Sequence, residues 1–185
     1  MWRNTTASYG LVAIVLHWLI AIVVVGLFAL GLWMVDLGYY DPWYQRAPDL
    51  HKGVGVLLLL ALLLRLLWRL INPTPHAETG LSRFEARASR VVHGLLYLLL
   101  MLVMLAGYLI STADGRPIDV FGLFEVPATL TNLPDQADVA GDIHLILAIA
   151  LITIAGFHAL AALKHHFIDR DATLLRMLGR RRTPH

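Results

Sequence analysis

Two histidines, His144 and His158, bracket thirteen residues that carry no charge. At about 100° and 1.5 Å per residue, a helical step of fourteen returns the second imidazole to within roughly 40° of the first, about 21 Å further along. So apolar a helix is most stable in hydrocarbon, where a polar ring costs free energy unless something satisfies it. Imidazole is a good axial ligand for haem iron. Two such rings facing the same way at two depths therefore predict two haems, one near each membrane surface.

The remaining histidines fall into place by depth. His17 sits about seven residues into the first apolar run and His158 about six from the far end of the last, so the two are expected to share one iron. His51 and His144 each open a helix at the opposite surface and are expected to share the other. A single intramembrane histidine is as readily a hydrogen-bonded structural residue as a ligand; two depth-matched pairs favour ligation. Gly53 and Gly55 after His51, Gly156 before His158, and Gly31 fourteen residues after His17 leave room for a macrocycle. His93, near the start of the third helix, has no depth-matched partner. Its alternatives are a haem propionate, a quinone, or the place of His17 as ligand. His165 and His166 read as interfacial surface residues, and His76 and His185 as solvated. Arg65 and Arg69 lie fourteen and eighteen residues after His51, on its helix face. Arg65 is expected to pair with haem propionates, whereas snorkelling explains Arg69 equally well.

These side chains need helices in a membrane. Of 185 residues, 58% are hydrophobic and only 15% charged, which is not a soluble composition. Four apolar spans, about 10–35, 50–71, 88–110 and 142–163, predict an all-α, transmembrane, up-and-down four-helix bundle forming one domain over 1–185. The first span exceeds a signal-peptide core and lacks a small-residue cleavage site, so it is expected to stay as a helix. Asn72-Pro-Thr-Pro-His76 ends the second helix, and Tyr39, Tyr40, Trp43 and Tyr44 suit a membrane interface. Ser111 to Gly141 is expected to be a long acidic loop. Twelve of the fifteen bases fall on one side, including the closing Arg180-Arg181-Arg182, which places both termini in the cytoplasm. Absent cysteine excludes disulfides, thiolate zinc, iron-sulfur clusters and covalent c-type haem, so any haem is expected to be b-type and non-covalent. A net charge of +2 gives no nucleic-acid surface.

Several motifs together resemble the bacterial cytochrome b561 family over nearly the whole chain. They are His17-Trp18, His51-Lys52-Gly53 with the stretch from Arg65 to Arg69 before Asn72-Pro, and His93-x-x-x-Tyr97. The His144 to His158 spacing, Lys164-His-His-Phe and Asp171-Ala-Thr-Leu-Leu-Arg-Met177 complete the set. The resemblance implies a four-helix di-haem protein of the bacterial inner membrane with ligands at His17, His51, His144 and His158. It also implies electron transfer between a periplasmic one-electron donor, superoxide in one relative, and the membrane quinone pool. Iron held by two histidines has no open position, so each haem is expected to relay electrons. On the outer side, Arg46, Lys52 and Arg116 compete with nine carboxylates, which repel superoxide unless the three bases cluster. The rival is therefore a membrane-anchor relay subunit that docks a periplasmic redox protein on the acidic loop. A haem sensor or structural bundle is the non-redox alternative.

Overall fold

The computed structural model describes residues 1–76 and 82–180; Arg181, Arg182 and His185 of the tail lie outside them. Four helices carry the chain: α1 (Leu11–Met34), α2 (Arg46–Ile71), α3 (Arg83–Ser111) and α4 (Gln136–Phe167). All four are long and apolar enough to cross a membrane. A short α5 (Thr173–Met177) and a hairpin of β1 (Ile118–Val120) and β2 (Phe124–Val126) complete the described elements.

Three helices begin before their apolar runs, because hydropathy marks the part that suits lipid while capping chemistry marks where a helix starts. Pro48 is tolerated in the first turn of α2, and Asp49 beside it suits the positive end of the helix dipole. At the start of α3, Ser82 Oγ accepts the Glu85 N–H (3.1 Å) while Glu85 Oε2 accepts the Ser82 N–H (3.0 Å), a reciprocal capping box. Gln136 opens α4 from a nearly buried position, donating to the carbonyls of Leu109 (3.0 Å) and Leu130 (2.9 Å).

The expected Ser111 to Gly141 loop is corrected by the hairpin and by the early start of α4. Ile118 pairs with Val126 and Val120 with Phe124. Between them Phe121 (φ 56) and Gly122 (φ 70) both adopt left-handed backbone, and Leu123 N–H closes on Val120 O (3.0 Å). This is the primed turn whose twist suits a two-stranded ribbon.

Internal contacts divide the chain into two units, each with segments of α1 to α4. The first holds Met1–Ala21, Ala61–Leu96 and Thr153–His185; the second holds Ile22–Leu60 and Tyr97–Ile152. In the second unit, fully buried Val120 and Thr112 anchor the hairpin and the end of α3. Tyr108 O–H donates to Pro127 O (2.7 Å) and accepts from the Thr129 N–H (2.9 Å), so the loop is tied to α3. In the first unit the tail folds back. Arg176 donates to the carbonyls of His76 and Ala7 (2.8 Å each), and Trp18 Nε1–H donates to Met177 O (2.8 Å).

Candidate functional site

The second unit brings His51 of α2 and His144 of α4 together, with ring centres 6.1 Å apart and planes at 68°. The His144 Nδ1–H donates to Val103 O on α3 at 2.8 Å, a partner that can only accept, so Nε2 keeps its lone pair. His51 Nδ1 is buried without a hydrogen-bond partner. Each ring packs against a glycine. A Cβ on Gly31 of α1 would stand 3.2 Å from His51 Cε1, and one on Gly107 of α3 would stand 3.1 Å from His144 Cε1.

The first unit brings His17 of α1 and His158 of α4 together, ring centres 6.4 Å apart and planes at 84°. Arg65 of α2 reaches across to α1. Its Nη1 donates to Ala13 O at 3.0 Å and its Nη2 stands 3.4 Å from His17 Nδ1. His93 of α3 joins this cluster, its ring 5.1 Å from that of His158 and its Nδ1 3.4 Å from Ser89 Oγ. His93, without a depth-matched partner in the sequence, is thus a third ring that α3 adds to the His17/His158 pair.

Two imidazoles bound trans to one metal through nitrogens about 2 Å away have ring centres roughly 6 Å apart. The 6.1 Å and 6.4 Å pairs meet that spacing, and the 5.1 Å contact of His93 with His158 is too close for it. An orphaned buried nitrogen on His51, a preset Nε2 on His144 and two glycines with rings against them also suit haem ligation. Gly107 escaped sequence reasoning although a signal existed. It lies fourteen residues after His93, the interval that also separates His17 from Gly31, His51 from Arg65 and His144 from His158.

Charge around the second unit is acidic. Of its three bases, Lys52 is bound to Asp49 (2.8 Å) and Arg116 to Asp114. The Arg116 guanidinium holds the Asp114 carboxyl below the usual range, and the carboxyl raises Arg116 in return. In the first unit Lys164 bridges Glu85 (3.1 Å) and Asp169 (2.7 Å). His165 is only partly exposed. Its side chain is 15% exposed and its Nδ1 lies 2.9 Å from Asp169 and 2.8 Å from Asp171. The Nδ1 of His166 is buried too.

Residues 8–180 match the family model for prokaryotic cytochrome b561. The chain is 53% identical over 177 residues to cytochrome b561 homolog 2 of Escherichia coli (strain K12), covering 96% of this chain and 94% of that protein. It is 32% identical to the probable superoxide oxidase CybB of Yersinia pestis, over 95% of this chain and 98% of that one. Cytochrome b562 of Cereibacter sphaeroides is 31% identical over 92% of this chain and 95% of its own length. With four helices long and apolar enough to cross a membrane and a match along almost its entire length, the chain belongs to the prokaryotic cytochrome b561 family, multi-pass haem b electron-transfer proteins of the bacterial inner membrane.

Proposed function

We propose that the chain relays single electrons from a periplasmic donor to the membrane quinone pool through two b-type haems, one held by His51 and His144 and one by His17 and His158. The observation that carries this reading is the repetition, in two units, of an imidazole pair at the spacing of trans ligation, 6.1 Å and 6.4 Å. Haem b held by such a pair would supply a one-electron centre. Val103 O fixes the tautomer and orientation of His144, which keeps Nε2 available and makes the imidazole a better donor. Gly31 and Gly107 let His51 and His144 lie against neighbouring helices, so their rings are held by backbone rather than by mobile side chains. Arg65, anchored on Ala13 O, keeps a positive charge beside His17, where it would pair with the propionates of a bound haem. The basic excess among the loops joined to the first unit supports placing that unit and both termini on the cytoplasmic side.

A second reading of the donor is favoured by a specific observation. Lys52 and Arg116 are both bound to neighbouring carboxylates, so neither offers an uncompensated positive charge to an anion, and the nine acidic groups of the second unit outnumber its three bases. That surface suits a cationic or basic protein donor better than superoxide, although a relative 32% identical is named a probable superoxide oxidase. The ligand assignment is tested by haem content. Purified protein should yield two acid-acetone-extractable haems per chain. His51→Ala and His144→Ala should each remove one haem, and His17→Ala and His158→Ala the other, with His93→Ala keeping both. Loss of a haem in His93→Ala with both retained in His17→Ala would replace the first-unit pair.

A further inference from the structure

The two histidine pairs differ in what surrounds them, and the differences act in one direction. At His144, the Nδ1–H donates a hydrogen bond to Val103 O at 2.8 Å, which makes the imidazole more electron-rich and favours ferric iron. At His17, a guanidinium stands 3.4 Å from the ring, held there by Ala13 O at 3.0 Å whichever tautomer the ring adopts. A fixed positive charge favours the less positive, ferrous state. The wider charge agrees in sign. The second unit carries nine carboxylates against three bases, while the segments of the first unit hold the basic excess.

We infer that Arg65 is a positioning residue for the electron's direction: it holds the reduction potential of the His17/His158 site above that of the His51/His144 site. The inference rests on the two-haem reading above. The transfer it drives is one electron from ferrous iron at His51/His144, which becomes ferric, to ferric iron at His17/His158, which becomes ferrous; no bond or proton changes. Arg65 acts here through charge, and the sign is the same whether the guanidinium faces the imidazole or a propionate.

Redox titration of the haem absorbance tests this without any donor or quinone. Wild-type protein should show two one-electron waves, and His144→Ala, which keeps only the His17/His158 haem, should keep the upper one. Arg65→Gln can still donate to Ala13 O but carries no charge. It should change the ferrous-to-ferric ratio of the upper wave tenfold or more at fixed potential, a downward shift of about 59 mV for one electron. The lower wave should stay in place, and Arg65→Lys should recover most of the shift. The inference is overturned if His144→Ala keeps the lower wave, or if Arg65→Gln moves both waves equally or neither. Should Arg65→Gln fail to hold haem, the wave that His144→Ala retains still decides. Two haems in His144→Ala would instead refute the pairing itself, and the inference with it.

Discussion

Gly107→Ala separates the stability of the helices from the integrity of the site. The added Cβ would lie 3.1 Å from His144 Cε1 and 3.2 Å from Nδ1. Carbon atoms in good contact stand about 3.5–4.0 Å apart, so the ring must retreat by roughly half an ångström. A shift of that size strains the 2.8 Å bond from Nδ1 to Val103 O, since such bonds weaken beyond about 3.2 Å. Losing it costs about 1 kcal/mol, and replacing glycine by alanine within a helix returns about the same amount. The stability of the fold should therefore hardly change. Haem retention at His51/His144 should fall, because disturbing the partner that orients a metal-binding histidine typically costs about 10–100-fold in affinity. Gly94, also on α3, has nothing within 4 Å of an added Cβ, so Gly94→Ala should leave both haems in place. Pyridine-haemochrome content per chain and thermal unfolding, measured on the same preparations, give the two readouts. The reasoning fails if Gly107→Ala retains haem as well as Gly94→Ala does.

Two further outcomes follow from the charges. Because Lys52 and Arg116 are bound to Asp49 and Asp114, haem reduction by superoxide should quicken as salt rises while reduction by a cationic donor slows, exposed charges being screened beyond about 8 Å at physiological ionic strength. Stopped-flow reduction at low and high salt reads this, and a superoxide rate that falls with salt would mean that a local basic cluster steers the anion after all. Asp171 ties the tail: burial pushes its carboxyl up, but donation from Thr173 N–H (2.8 Å) and His165 outweighs that and holds it below the usual range. A depressed carboxylate stabilises the folded tail fully above its unfolded value near ~3.9 and loses that contribution as pH falls through the lower folded value. Pepsin should thus release the tail only below about pH 4, and Asp171→Asn should make it susceptible at higher pH.

The helices and the closeness of each histidine pair were legible in the sequence because both depend on period and depth along one helix. His51 and His144, or His17 and His158, meet at one level wherever two helices of known polarity run side by side. What could not be read are features that one element imposes on another. The capping box of Ser82 and Glu85 was present as a pattern, but the charged first turn of α3 hid it from a hydropathy reading. The hairpin turns on Phe121, a residue that seldom adopts positive φ; its ring packs on Gly53, where a Cβ would stand 2.7 Å away. Arg65 was read from spacing as lying on the His51 face of α2, yet its anchor on Ala13 O belongs to α1 and leaves no mark in that spacing.

The same cross-helix contacts explain how the site supports the fold. Of the apolar window in each span, only 6% to 17% is buried, so most of these side chains face outward, where lipid solvates them as well as a protein core would. Helices in that environment gain little from apolar burial against one another and associate through close approach at small residues and hydrogen bonds. In the second unit those contacts are Gly31 against His51, Gly107 against His144, His144 to Val103 O, and Gln136 to Leu109 O. In the first, Arg65 to Ala13 O joins α2 to α1. Most of these side chains belong to the proposed haem sites. A leucine on a lipid face can therefore be exchanged for another apolar residue at little cost, whereas a change at the imidazole and guanidinium positions would disturb helix association and, under the proposed function, electron transfer together.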